Sequence, residues 1–335
     1  MKYLFELSKE HKTFPIDEIK SCLQAEKINF KILESNEDVI IINTDSKAEK
    51  LRKVANRLSF TFFITHFLFS CQTSINQIKK QSSKNNLKYK GSIAIKYKNR
   101  SKNIDSQAIV KALAEIFIKN REVDLENPDI EIRVLITDSK LYIGLKLAEI
   151  NRTQFEERKV QNRPFFSPIS LHPKIARAIV NLSSIKKDDI LLDPFCGTGG
   201  ILLEAGLIGA KVIGSDIENK MIDGCKKTLD FYNIKNYELF HSDIGDIDKF
   251  IDKTDAIVTD FPYGKSTTTK GEKMGTLYDR AFKNMSKLLS KGSKAIIGLS
   301  NKDFINLGEK YFSLKSIHKF RVHKSLIRYF VVYEK

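Results

Sequence analysis

The alternation of hydrophobic and polar positions divides the chain into two parts of different character. Over residues 1–149, short alternating segments are mixed with segments of helical periodicity, which indicates an α+β arrangement. Residues 130–137 predict a strand with one polar face, and residues 140–146 predict its partner across an Asp138-Ser139 turn. Further strands are predicted at 2–7, 39–43 and 92–96, and helices at 46–57 and 106–118.

From Asp189 onward, apolar strand candidates alternate with helical segments, which is typical of βαβ units on a parallel sheet. The chain ends in a predicted pair of strands, 320–323 and 326–333. Between the two parts, residues 150–161 are polar without apolar periodicity, and we interpret them as an interdomain linker. The predicted strands of the second part are 190–193, 211–216, 237–243, 256–260 and 294–300.

Length and composition set the broad class of protein. The 335 residues exceed the roughly 250–300 at which a single hydrophobic core stops growing, so we expect two or three domains. The apolar run at residues 58–69 is shorter than the about 18 residues that a membrane helix needs, and the first residues lack a signal-peptide core. We therefore expect a cytoplasmic protein with no membrane segment. Cysteines without a CxxC pair and histidines without metal-ligand spacing indicate free thiols and no metal site.

The charge is positive and unevenly distributed. The chain has 57 Lys and Arg against 41 Asp and Glu, a formal net charge of +16. Between Glu49 and Asp105 there is no acidic residue, whereas tyrosines are interleaved with many lysines, a pattern that favours contact with a nucleic acid over a merely solvated lysine-rich face. The candidate contacts are Lys88, Lys90, Lys96, Lys98 and Arg100. A second, weaker basic stretch contains Lys315, Lys319, Arg321, Lys324 and Arg328.

A glycine-rich turn follows the predicted strand 190–193. The strand ends in Asp193, and Gly197, Gly199 and Gly200 open a predicted helix over 201–208. Glycines allow the backbone to approach a ligand closely, and the start of a helix offers unpaired N–H groups. The turn matches neither the dinucleotide fingerprint nor a P-loop. The pattern fits a nucleoside ligand without phosphates.

Carboxylates end four successive predicted strands of the second part. Each of Asp193, Asp216, Asp243 and Asp260 could simply cap the helix that follows it. Ligands of open α/β sheets, however, bind at the carboxyl ends of the strands, and four such residues together favour a binding site. Asp216 is placed to accept the hydroxyl groups of a ribose, and Asp243 to reach an adenine edge.

The motif from Thr259 to Gly264 combines a carboxylate and an aromatic ring in a proline-stiffened turn. Asp260 and a neighbouring backbone carbonyl can accept the N–H groups of an exocyclic amine, and Tyr263 can stack on the base. Attack on an electrophilic methyl group would then depend mainly on positioning and electrostatics. The alternative, a tight turn after a core strand, is less favoured when this motif occurs together with the glycine-rich turn.

These two motifs resemble class I S-adenosylmethionine-dependent methyltransferases of the amino-methylating branch, which carry Asp/Asn-Pro-Pro-Tyr/Phe. Residues 162–182, which precede the glycine-rich turn, resemble the corresponding segment of archaeal tRNA guanine-N2 methyltransferases that act at position 10 of tRNA. Residues 123–129 and the following strand are similar to the THUMP RNA-binding domain. The resemblance implies an α+β ferredoxin-like and THUMP region over 1–149, a linker over 150–161, and a Rossmann-like methyltransferase domain with a mostly parallel seven-stranded sheet over 162–335.

The resemblance also implies residue roles. The methionine end of S-adenosylmethionine would be lined by Asp193, Phe195, Gly197 and Gly199. Asp216 would bind the ribose, Asp243 the adenine, and Ser170 the cofactor carboxylate. The target guanine would be held by Asp260, Phe261, Pro262 and Tyr263. Phe261 departs from the family pattern, which has a proline there, and the choice between one and two methyl transfers is left open.

We expect tRNA as the partner of a monomeric enzyme, and the sequence leaves the need for an accessory subunit open. Two other functions are kept as alternatives. The motif binds an exocyclic amine and does not determine which base carries it. The target could therefore be a guanine elsewhere in tRNA or in rRNA, or an adenine in DNA. Phe261 alone suggests a THUMP RNA-binding protein whose catalytic domain has decayed.

Overall fold

The computed structural model describes residues 1–85, 87, 90–167, 170–263, 272–323 and 326–335, and the chain forms two compact units. Within these ranges no helix is long and apolar enough to cross a membrane, and no three His, Cys, Asp or Glu side chains are arranged to hold a metal ion. The first unit comprises Met1–Lys12, Ile28–Asn56 and Thr61–Ile150. The second comprises Thr13–Lys27, Arg57–Phe60 and Asn151–Lys335.

The first unit is built on a seven-stranded sheet in the order β2-β3-β1-β4-β7-β6-β5. Neighbouring strands are antiparallel except the pair β5 and β6. The strands are β1 (Lys2–Leu7), β2 (Lys31–Ser35), β3 (Val39–Asn43), β4 (Thr61–Cys71), β5 (Ile93–Asn99), β6 (Ile130–Ile136) and β7 (Leu141–Glu149). The helices that follow strands of this unit are α2 (Ala48–Arg57), α3 (Ile75–Lys84) and α4 (Ser106–Phe117).

The apolar run at residues 58–69 forms most of β4, the central strand of this sheet. Its aromatic and β-branched residues suit a strand that has neighbours on both sides. Ile78 of α3 and Leu113 of α4 pack against Phe69 and the neighbouring strands, and these contacts form the core of this part of the unit. The predicted strands and helices of this half are present, whereas β2, β4 and α3 were not predicted.

The second unit contains another seven-stranded sheet, in the order β10-β9-β8-β11-β12-β14-β13. The first five strands in this order are parallel, and β14 and β13 are antiparallel to their neighbours. The strands are β8 (Ile190–Asp193), β9 (Lys211–Asp216), β10 (Tyr237–His241), β11 (Thr254–Asp260), β12 (Leu289–Leu299), β13 (Ser313–His323) and β14 (Leu326–Glu334). The helices are α1 (Phe14–Ala25), α5 (Thr153–Glu157), α6 (Pro173–Leu182), α7 (Gly200–Gly206), α8 (Asn219–Phe231), α9 (Met274–Leu288) and α10 (Ile305–Glu309).

Both faces of the inner parallel strands β8, β9 and β11 are mostly buried, which explains their nearly continuous apolar sequences. Successive residues of a strand point to opposite faces, so Leu191 and Leu192 of β8 belong to two different core clusters. The strand order reverses at β8, which lies between β9 and β11. This reversal is the position at which open α/β sheets bind their ligands.

Helix α1, which was not predicted, belongs to the second unit although it lies early in the chain. Its Glu18 is fully buried, and Oε1 accepts hydrogen bonds from the backbone N–H of Ser59 (2.9 Å) and from Asn181 Nδ2 (2.8 Å). Oε2 accepts the backbone N–H of Phe60 (3.0 Å). One carboxylate thus joins α1, the segment Arg57–Phe60 and α6.

The segment predicted as a linker contains the short helix α5, whose Phe155 is buried. Arg158 then donates to the buried carboxylate of Glu204 (Nε to Oε1, 2.9 Å), which also pairs with Arg177 (2.8 Å). These contacts attach the segment to the second unit. The functional division into residues 1–149, 150–161 and 162–335 stays a prediction.

Replacing Glu18 with Ala is expected to lower the free energy of unfolding by about 2–4 kcal/mol, because it leaves buried donors of three segments without an acceptor. Denaturant titration of the second unit's transition measures the loss. Glu157→Ala is the matched control: Glu157 lies in the same unit, has an exposed side chain and forms no ion pair or side-chain hydrogen bond with the described residues, so it should change little. Equal small effects of both substitutions would contradict the role of Glu18.

Candidate active site

The glycine-rich turn between β8 and α7 has a backbone that only glycine adopts readily. Gly197 and Gly199 have φ angles of +50° and +78°, in the left-handed region. A Cβ on Gly199 would lie 2.5 Å from Cys225 Sγ, whereas a Cβ on Gly197 would meet nothing within 4 Å. The turn therefore packs closely on one side and leaves open space on the other.

That open space belongs to a cavity of about 210 Å³ at the carboxyl ends of the parallel strands. The cavity lies where the strand order reverses. All the predicted cofactor and catalytic residues except Gly199 line it. These residues are Ser170, Asp193, Phe195, Gly197, Asp216, Asp243, Asp260, Pro262 and Tyr263.

Asp193, the last residue of β8, is 1% exposed, and its Oδ1 accepts the backbone N–H of Phe195 (3.2 Å). Burial raises the pKa of its carboxyl group to about 7. Among the described residues no Lys or Arg forms an ion pair with it. A ligand that brings a positive charge, such as an ammonium group, would stabilise the ionised form.

Asp216 ends β9, and backbone donors hold both of its oxygens. Oδ2 accepts the N–H of Gly197 (3.0 Å) and Oδ1 the N–H of Glu218 (2.9 Å). Burial raises the pKa of this carboxyl group, and these hydrogen bonds oppose the rise. Because a carboxylate oxygen can accept more than one hydrogen bond, Asp216 keeps capacity for the two hydroxyl groups of a ribose.

Asp243 lies two residues beyond the end of β10, which is shorter than the predicted strand. Its Oδ1 accepts the backbone N–H of Gly245 (2.7 Å) and pairs with Arg280 of α9. Arg280 also binds Glu272, another residue of the cavity wall (2.7 Å). The side chain predicted to reach an adenine is thus held by a cation that sequence reasoning missed.

Asp260 ends β11 at the edge of the cavity. The Tyr263 hydroxyl donates a hydrogen bond to Oδ1, and Arg328 Nη2 lies 3.2 Å from Oδ2. Burial raises the pKa of Asp260, and the guanidinium of Arg328 opposes this rise. The hydroxyl of Tyr278, on α9, donates to the carbonyl of Pro262 (2.6 Å) and so fixes the turn.

Phe261, the residue that departs from the family pattern, directs its ring into the core. It is 1% exposed and contacts Phe195 (5.2 Å), Tyr278 (4.7 Å) and Phe282 (5.2 Å), the distances being between ring centroids. The second unit therefore accommodates its bulk without moving Asp260 or Tyr263 away from the cavity. A contact of Phe261 with the substrate stays a prediction.

Ser170 precedes α6 and meets the glycine-rich turn. Its Oγ lies 3.0 Å from Oγ1 of Thr198, a cavity residue that was not predicted. Two hydroxyl groups thus lie side by side near the start of α7. The pair suits a carboxylate.

Comparisons with known proteins agree with this site. The family model of the RMKL-like methyltransferase domain matches residues 161–329, and a DNA methylase model matches residues 9–227. A tRNA (guanine(10)-N2)-dimethyltransferase of Methanothermobacter thermautotrophicus is 33% identical over 340 residues, which cover 100% of both chains. The chain belongs to the tRNA (guanine(10)-N2)-dimethyltransferase family.

Two further comparisons support the same family and its fold. A tRNA (guanine(10)-N2)-dimethyltransferase of Pyrococcus abyssi is 44% identical over 216 residues, or 63% of this chain and 64% of that protein. The crystal structure of TrmN from Thermus thermophilus matches with a TM-score of 0.58 at 17% identity and covers 100% of each chain. The predicted family and methyltransferase fold are confirmed.

The candidate RNA contacts of this dimethyltransferase family member fall into different environments. Lys88 lies outside the described residues. Lys90 and Lys98 are exposed, whereas Lys96 is half-buried and lies 3.4 Å from Glu131. The Arg100 side chain is only 8% exposed and pairs with Glu6 (3.2 Å) and Asp38 (2.7 Å). Its guanidinium therefore forms ion pairs within the first unit. The RNA contacts of the other candidate residues stay a prediction.

Besides Thr198 and Glu272, the polar side chains Tyr278, Arg280 and Arg328 were not predicted as site residues. They come from α9 and β14, which follow both motifs in the chain, and no local spacing marks them. Arg328 was grouped with the C-terminal basic stretch, of which Lys324 lies outside the described residues. The only available signal was that several carboxylates gathered at one edge need positive partners.

Asp193→Asn is expected to raise the melting temperature of the ligand-free protein at about pH 8, by about 2–4 °C for each kcal/mol recovered. Burial raises the pKa of the native group from 3.8 to about 7. The unfolded chain therefore ionises first as the pH rises, and the stability lost to the buried carboxylate grows from about pH 4 and is complete above about pH 7. The gain should shrink as the pH falls below 7 and vanish near 4. Thermal unfolding over this range measures it.

The exposed Asp252, which forms no ion pair or side-chain hydrogen bond with the described residues, supplies the control. Asp252→Asn should leave the melting temperature unchanged at every pH. A stabilisation of the Asp193 variant that does not depend on pH would show that the carboxylate is not the cause.

Proposed function

We propose that this protein transfers methyl groups from S-adenosylmethionine to the N2 amine of guanine 10 in tRNA. The observation that carries the proposal is the placement of Asp260 and Tyr263 at the edge of a cavity that is also lined by Asp193, Asp216 and Asp243. Family membership supports the same activity. The methyltransferase acts in the cytoplasm as a monomer, and tRNA is its macromolecular partner.

The cavity fits the cofactor group by group. Asp193 is a buried carboxylate without a cation among the described residues and would bind the ammonium of the methionine end. Asp216 would take the ribose hydroxyls, and Asp243 the adenine amine. Ser170 and Thr198 would bind the carboxylate.

The bound cofactor supplies an electrophilic methyl group on a sulfonium. Asp260 would accept one N–H of the guanine amine, and a backbone carbonyl of the motif turn the other, so that the nitrogen lone pair faces the methyl group. As positive charge develops on the nitrogen, the ionised Asp260 stabilises it and accepts the N–H hydrogen at Oδ1. Tyr263 would stack on the base, and the hydrogen bond from Tyr278 keeps the turn in place.

The first unit would bind the RNA. Its exposed Lys98 follows Tyr97, which is 45% exposed on β5, an edge strand of the sheet, and the exposed Lys90 lies three residues before that strand. Lysines attract the phosphate backbone, and an exposed ring can stack on a base. This arrangement supports the prediction of a THUMP-like RNA-binding region over residues 1–149.

Purified protein, labelled S-adenosylmethionine and an unmodified tRNA transcript should give N2-methylguanosine and then N2,N2-dimethylguanosine. Nucleoside digestion and mass spectrometry identify the products, and their time course shows whether one or two groups are transferred. A transcript with adenine in place of guanine 10 should receive no label. Label in that transcript would place the target at another guanine, and ribosomal RNA would be the next substrate to test.

Asp260→Ala should reduce the single-turnover rate on the order of 100-fold or more, because it removes the acceptor for the amine. The cofactor dissociation constant, measured by calorimetry, should change little. Asp252→Ala serves as the control and should retain full activity. Undiminished transfer by the Asp260 variant would refute its assigned role.

Cofactor binding should weaken as the pH falls below about 7, by roughly tenfold per pH unit. The reason is that protonated Asp193 cannot pair with an ammonium group. Calorimetry with S-adenosylhomocysteine from about pH 5.5 to 8.5 measures the dependence. Asp193→Asn should bind weakly at every pH, without this slope, and a flat profile in the unaltered protein would contradict the contact.

A further inference from the structure

Arg328 reaches Asp260 across the strand that separates them. Strand β12 lies between β11 and β14, and its Gly298 pairs with Asp260 on one side and with Phe330 on the other. A Cβ at Gly298 would overlap Oδ1 of Asp260. The absence of a side chain at Gly298 therefore leaves the space that the Asp260 carboxylate occupies beside β12, where Arg328 contacts it.

The contact is buried and has several components. The Arg328 side chain is 7% exposed, and its Nη2 lies 3.2 Å from Oδ2 of Asp260. Its guanidinium carbon also lies 5.1 Å from the centre of the Tyr263 ring, a cation–π geometry. Its Nε is buried and has no hydrogen-bond partner among the described residues. Because desolvation offsets the attraction in such pairs, stability alone does not account for this arginine.

The two oxygens of Asp260 have different partners. Arg328 binds Oδ2 from within the sheet, whereas Oδ1 receives the hydroxyl of Tyr263, which lies in the motif turn at the cavity. A base that enters to stack on Tyr263 can displace that hydroxyl, but it cannot displace a residue of β14. Oδ1 is therefore the oxygen left for an incoming amine.

We propose that Arg328 is a positioning residue for methyl transfer, which fixes the Asp260 carboxylate through Oδ2 and presents Oδ1 to the amine of the base. This inference rests on the proposed function. According to this proposal, Arg328 binds Asp260 and is not a nucleic-acid contact, although the sequence placed it in a basic stretch.

The same contact favours the ionised form of Asp260. The titratable groups that face it are Asp193 of β8, Tyr263 of the turn, Tyr278 of α9 and Arg328. Arg328 is the positive member of this set. Burial raises the pKa of Asp260 and the guanidinium lowers it, so removing Arg328 should raise this pKa further.

The experiment compares Arg328→Met and Arg328→Lys in single-turnover methylation of a tRNA transcript across pH. Arg328→Met should slow the transfer on the order of 100-fold, because the carboxylate is no longer held in place. The acid limb of its rate profile should move up by about one pH unit or more. Dissociation constants for tRNA and S-adenosylhomocysteine should stay within about twofold, and Arg328→Lys should restore much of the rate and the acid limb.

Two controls complete the design. Lys310→Met removes an exposed ion pair of the same unit, with Asp279, and should leave the rate and its pH profile unchanged. Should Arg328→Met fail to fold by circular dichroism, Arg328→Gln replaces it, since it removes the charge and keeps a polar side chain.

A readout that does not depend on activity is the titration of Asp260 itself. Carboxylate ¹³C NMR of aspartate-labelled protein follows this group, and the resonance is assigned by its loss in Asp260→Asn. Its pKa should be higher in Arg328→Met than in the unaltered protein and lower again in Arg328→Lys.

Three results would overturn the inference: an Arg328→Met rate within about twofold of the unaltered protein, a loss confined to tRNA affinity, or an Asp260 titration that does not move. An unaltered protein that methylates no tRNA refutes the proposed function instead. The NMR titration still decides the role of Arg328 in that case.

Discussion

The gathering of four carboxylates at one buried sheet edge is the constraint on which the rest of the site depends. Burial disfavours the ionised forms of Asp193, Asp216 and Asp260, so these carboxylates need donors. Asp243 and Asp260 obtain arginines, Arg280 and Arg328, from elements that follow all four carboxylates in the chain. Asp193 has a backbone donor and no cation among the described residues, which leaves it suited to a charged ligand. The C-terminal strands are therefore part of the site as well as the end of the sheet.

The sizes of two residues contribute to this arrangement. Gly298 leaves the space that the Asp260 carboxylate occupies, and Phe261 fills a space among three aromatic rings with a bulky side chain where the family pattern has a proline. The motif turn keeps its position because Tyr278 holds the Pro262 carbonyl from α9. The function of the motif thus depends on its surroundings as much as on its own sequence.

Local sequence was sufficient for the parts of the fold that local rules determine. Strands β8, β9 and β11 and their terminal carboxylates follow from apolar runs that end in aspartate, and their common edge follows from parallel pairing. Helix α1 and strand β4 were missed because their identity depends on distant partners. The same reason explains the omission of Arg280 and Arg328. Residues 150–161 look like a linker by composition, but Arg158 among them reaches a buried carboxylate, and composition does not reveal such a contact.

The early position of α1 has a consequence for biosynthesis. Glu18 and its partner Asn181 are 163 residues apart, so at about 5–20 residues per second the ribosome takes roughly 8–33 s to supply the second after the first. During this interval the apolar side of α1, with Phe14, Ile19 and Leu23, has no α6 to cover it. The nascent chain therefore carries this apolar segment without α6 for the time that its synthesis takes, and completion of the catalytic unit is a late, non-local event in folding.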